Sequence, residues 1–66
     1  MNDQLTPDEV RAWRKAAGLN QLEFAEMLGL SRPTIARIEG GKLAAPKWMG
    51  LARHGWERQA VMHDMG

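Results

Sequence analysis

The residues best placed to do chemistry lie in LSRPTIARIE, residues 30–39. Ser31 is a helix cap by type, Arg32, Pro33 and Thr34 fill a first helical turn, and Ile35 and Ile38 share one side. Two earlier segments open in the same way but with an acid. Thr6-Pro7-Asp8-Glu9 and Asn20-Gln21-Leu22-Glu23 each put a glutamate three residues after the cap, where it reaches back to the cap N–H. Thr34 stands where Glu9 and Glu23 stand, and Arg32 is added, so this third helix starts strongly electropositive. That is a poor arrangement for stability and a good one for facing an anion. Arg32 and Arg37 lie roughly 140° apart at about 100° per residue, so they do not stack over one point but both reach into a surface that wraps the helix.

Other chemistries find little support. Cysteine is absent, which removes disulfide frameworks and thiolate zinc sites together. His54-x-x-Glu57 and His63-Asp64 fall short of a complete ligand set, so no metal is expected. Ser31 is the only serine and already caps a helix, leaving no serine, histidine and carboxylate cluster; no enzyme activity and no cofactor are expected. No apolar run approaches the ~18 residues needed to span a bilayer, and MNDQLTPDE is unlike a secretory signal, so a soluble cytoplasmic protein is expected, with no membrane partner.

The chain has 66 residues and a net charge of +1, unevenly distributed. Residues 1–30 hold three basic and five acidic side chains, net −2; residues 31–58 hold six and two, net +4. A local basic face suits a polyanion, although on charge alone these are ordinary solvated side chains.

The elements that must position these residues are helical, since strand and hairpin signals are absent. Glycines 18, 29 and 40–41 stop three helices at about 7–17, 21–28 and 32–39. Gly29-Leu30-Ser31 is so short a link that the second and third helices must cross steeply. Periodicity assigns the core to Val10, Trp13, Ala16 and Ala17, to Leu22, Ala25 and Leu28 with Phe24 at the edge, and to Ile35 and Ile38. Arg32, Pro33, Ala36 and Arg37 are left outward.

A fourth helix is expected at about 46–57, with an extension toward Met62. Trp48, Leu51, Ala52, Gly55 and Trp56 form an apolar stripe, although Gly50 and Gly55 each weaken the helix by roughly 1 kcal/mol relative to alanine. Trp13, Trp48 and Phe24 read as core aromatics. Two tryptophans on one stripe exceed what a short helix needs, so part of it is assigned to a partner subunit: Trp48, Leu51, Ala52 and Trp56 are the expected dimer contacts.

Between residues 18 and 42, GLNQLEFAEMLGLSRPTIARIEGGK resembles the helix-turn-helix of phage repressor and Cro-type regulators, the XRE family. The matching residues are Gly18-Leu19-Asn20-Gln21, Ala25, Leu28-Gly29, Ser31, Ile35, Ile38-Glu39 and Gly41-Lys42, and the likeness extends over residues 6–48. It implies an all-α fold: a compact four-helix lambda-repressor-like domain over residues 1–66, with the helix-turn-helix at 21–39 and a helix and tail at 46–66 as a dimerisation segment.

The resemblance further implies double-stranded DNA as partner. Helix 3 would enter the major groove with Arg32, Pro33 and Arg37 at base edges and Ser31 and Thr34 near the backbone. Asn20, Gln21, Lys42 and Lys47 would hold phosphates, and Arg14 with Glu39 would form a structural ion pair. Physical chemistry agrees: a guanidinium grips guanine O6 and N7 together, worth about 1–3 kcal/mol of discrimination, and proline offers an apolar edge to a thymine methyl. The expected function is a transcriptional repressor binding a palindromic operator as a homodimer. The alternative is an antitoxin-type protein that autoregulates its operon while its C-terminal segment holds a protein partner.

Overall fold

The computed structural model describes the backbone of residues 4–65 and the side chains of residues 4–59. Four α-helices follow one another: α1 Pro7–Ala16, α2 Gln21–Leu28, α3 Arg32–Glu39 and α4 Trp48–Met65. No strand occurs among the described residues, and the fold is all-α.

Each of the first three helices starts as its residue types dictate. Thr6 accepts from the Glu9 N–H at 3.2 Å while Glu9 accepts from the Thr6 N–H at 2.9 Å. Asn20 and Glu23 repeat the exchange at 2.8 and 3.0 Å. Both capping boxes are therefore complete. At α3, Ser31 Oγ accepts from the Thr34 N–H at 3.3 Å and shares a 2.8 Å hydrogen bond with the Thr34 hydroxyl. A pair of neutral hydroxyls thus closes the start of α3 without a negative charge there.

The turn between α2 and α3 depends on Gly29, whose φ of 74° lies in the left-handed region that a Cβ disfavours. With that turn made, the Leu30 N–H reaches the Ala25 carbonyl at 2.8 Å and closes α2.

The core gathers Leu5, Val10, Trp13, Phe24, Ala25, Ile35, Ile38, Ala45 and Met49. Trp13 and Phe24 meet edge to face at 4.8 Å and 88°, and Trp56 of α4 tilts onto Trp13 at 6.4 Å. Four assignments from periodicity change. Phe24 is fully buried and Leu22 half exposed. The cause is that α2 has apolar residues on more than one face, at 22, 24, 25, 27 and 28, so spacing does not choose the inner one; the larger phenyl ring seats against Trp13 and decides the rotation. Ala16 is exposed at the end of α1. Trp48 is exposed and Met49, next to it, is fully buried, because α4 presents Met49, Ala52 and Trp56 to the core.

α4 begins at Trp48 rather than at Pro46, whose carbonyl accepts from the Met49 N–H in the turn before the helix. It is 18 residues long, well beyond position 57. Its docking is partly ionic: Arg53 lies 3.3 Å from Glu9 of α1 and 3.3 Å from Glu57 one turn on. Gln4 adds a hydrogen bond to the Ala45 carbonyl that ties the chain start to the loop before α4. No described helix is long and apolar enough to cross a membrane.

Candidate nucleic-acid interface

Ile35 and Ile38 are fully buried, and this fixes the rotation of α3. Arg32, Pro33, Ala36 and Arg37 consequently face solvent, with Thr34 half-buried at the edge. The far end of α3 is clamped. Glu39, only 5 % exposed, receives Arg14 through Nε at 2.7 Å and Nη2 at 3.0 Å, while Arg14 Nη1 donates to the Leu19 carbonyl at 3.2 Å. Arg11 adds a 2.8 Å hydrogen bond to the Glu39 carbonyl. The hydrogen bonds that Arg14 donates to Glu39 hold its guanidinium above its ordinary pKa, against an opposing effect of burial. A buried carboxylate is tolerable only when paired in this way.

The cations divide sharply. Arg11, Arg14 and Arg53 are engaged within the protein. Among the described residues Arg32, Arg37, Lys42 and Lys47, like Lys15 of α1 and Arg58 of α4, have no ion pair and no side-chain hydrogen bond, and all six are exposed. The first four sit at the start of α3, on its outward face and after it, before α4.

Beside α3, a cleft of about 470 Å³ is lined by Arg14, Asn20, Gln21, Leu22 and Arg32. It brings the first turn of α2 next to the first residue of α3. Gln21 is half-buried there, its carboxamide nitrogen 3.5 Å from Glu39 Oε1, so the same carboxylate that holds Arg14 orients Gln21. Arg14 and Leu22 were not singled out as parts of this wall. Their proximity follows from the rotation of α2 set by Phe24, which local spacing does not reveal. The Ser31 and Thr34 hydroxyls lie at the start of α3, bonded to one another.

Among the described residues no group of three or more His, Cys, Asp or Glu side chains converges. His63 and Asp64 lie outside the residues whose side chains are described.

Two short helices joined through a left-handed glycine, the second presenting unpaired cations beside a basic cleft, define a helix-turn-helix DNA-binding domain. A family model described as Helix-turn-helix matches residues 10–47, more than half of the chain, and the protein belongs to that family, of the XRE type. No curated protein and no solved structure matches the chain. The protein is accordingly a DNA-binding regulator of the XRE type.

Proposed function

We propose that the protein is a transcriptional repressor that binds an approximately palindromic operator as a homodimer, with α3 in the major groove of each half-site. The observation that carries this reading is the run of unpaired cations along and after α3, Arg32, Arg37, Lys42 and Lys47, while the arginines of α1 and Arg53 are held internally. Arg32 and Arg37 read guanine edges and Pro33 meets a thymine methyl. Asn20 and Gln21 hold a phosphate at the cleft below α2, with Ser31, Thr34, Lys42 and Lys47 on neighbouring phosphates.

Two copies are needed because one module of this size reads few base pairs. Two-fold symmetry then requires half-sites about 34 Å apart, one turn of duplex. Occupancy of such a site covers promoter DNA, which is how so small a regulator represses. Selection of bound duplexes from a random pool, followed by footprinting, tests the reading. The expected result is an inverted repeat with two protected major-groove segments on one side of the duplex. Recovery of sequences without any repeat, with protection over a single half-site, would overturn the dimeric part.

A further inference from the structure

The outward face of α4 carries the most exposed large apolar side chain among the described residues, although Leu22, Met27 and Leu43 are also exposed elsewhere. Leu51 is 76 % and Trp48 42 % exposed, while Ala52 and Trp56 of the same apolar stripe pack against the core. Trp48, Leu51, Gly55 and Arg58 recur at intervals of three, four and three, which places them along one line of the helix. Gly55 is the odd member. It is exposed, it lies inside an 18-residue helix, and a Cβ added there meets nothing within 4 Å. The packing of this chain therefore gives no reason for a glycine that weakens the helix. A second helix lying against that point would.

We propose that α4 pairs antiparallel with α4 of a second copy, the Leu51 side chain of each seated over the partner's Gly55. A two-fold interface requires one surface to carry both the knob and its hole, and this line carries both. The register that joins Leu51 to the partner's Gly55 puts the axis at the level of residue 53. It also sets Trp48 opposite the partner's Arg58 at both ends of the contact. Arg58 is exposed and unpaired among the described residues. A guanidinium over an indole face is a favourable electrostatic pair. Trp48 and Leu51 also wall a cleft of about 550 Å³ with Leu5, Glu9, Lys47 and Arg53; Glu9 is already paired with Arg53 there, so the contact of Arg58 rests on the indole face. The contact is one helix pair, at the low end of specific interfaces below about 1,200 Å², and self-association in the micromolar to millimolar range follows.

This pairing rests on the dimeric reading given above and supplies its interface. Sedimentation equilibrium of the full chain from about 1 μM to 1 mM is the test, on the wild type and on Gly55→Leu, Leu51→Glu and Arg58→Glu, with affinity for a single half-site duplex and the melting temperature measured alongside. The wild type is expected to dimerise in that range, and each variant to raise the dissociation constant by about tenfold or more. Half-site affinity is expected to stay unchanged in Gly55→Leu and Leu51→Glu, and Gly55→Leu to melt no lower than the wild type at monomeric concentrations. That last combination separates lost pairing from lost folding. A wild type still monomeric at the highest concentration, a dimer that survives Gly55→Leu and Leu51→Glu together, or an α4 face that captures a different protein while the chain stays monomeric would each overturn the proposal. A dimer with these sensitivities that fails to bind any duplex would instead sink the operator reading and leave the pairing intact.

Discussion

At Arg14 a single guanidinium makes both hydrogen bonds to Glu39 and a third to the Leu19 carbonyl, and so fastens α1 to the end of α3 and to the loop before α2. Removing one partner of a buried pair leaves an uncompensated charge, at a cost of about 3–5 kcal/mol. Arg14→Met is therefore expected to lower stability by about 3 kcal/mol, near the bottom of that range because the arginine is 16 % exposed and water reaches part of it. Thermal unfolding checks this, and an unchanged melting temperature would mean the pair contributes nothing. The proposed reading gives Arg37 and Lys42 different roles. Arg37→Ala is expected to relax base preference at one position of each half-site. Lys42→Ala is expected to weaken all sequences alike and to reduce the slope of log K against log salt by about 1. Affinities for operator and random duplexes over a salt series separate the two; equal losses on both DNAs from both variants would contradict the assignment.

At the scale of elements, Glu9 serves two masters, since it closes the α1 capping box and also meets Arg53 of α4. Hydrogen bonding with Thr6 lowers its pKa below the ordinary value of 4.5, against an opposing effect of burial, and Arg53 adds to the lowering. A carboxylate depressed in the folded state contributes stability above its unfolded pKa, and loses it as pH falls through the folded value. Acid below about pH 4.5 is thus expected to loosen both the start of α1 and the seat of α4, and Glu9→Gln to flatten that part of the stability-versus-pH curve. An unaltered acid limb in denaturant titrations of Glu9→Gln would remove Glu9 from the account.

The helices themselves were legible because their signals are local: a cap, a proline at the first position, an acid at the third, a glycine at the stop. The rotation of α3 was legible too, since Ile35 and Ile38 are its only large apolar residues. The rotations of α2 and α4 were not, because each has apolar residues on more than one face, and the choice was made by Phe24 and Trp56 packing on Trp13 across the molecule. For the same reason the pairing of Arg14 with Glu39, 25 residues apart, came from resemblance rather than from spacing.

On the scale of the whole molecule, the described surface carries a run of unpaired cations along and after α3 and an exposed apolar line on α4. The two-copy reading expects these to cooperate, α4 setting the separation and α3 the sequence read. An inverted repeat whose half-sites are moved by half a helical turn should then lose nearly all the advantage over a lone half-site, because both recognition helices can no longer meet the same side of the duplex. Equal affinity for the shifted and unshifted repeats would mean that the copies bind independently.

The burial pattern of α3 has a consequence for the history of such a chain. Its inner residues, Ile35, Ile38 and Glu39, are locked to the body, while Arg32, Pro33, Ala36 and Arg37 contribute nothing to that lock. On the reading proposed above, substitution at the outer four removes no buried contact, so the duplex sequence that α3 reads can change while the helix keeps its seat.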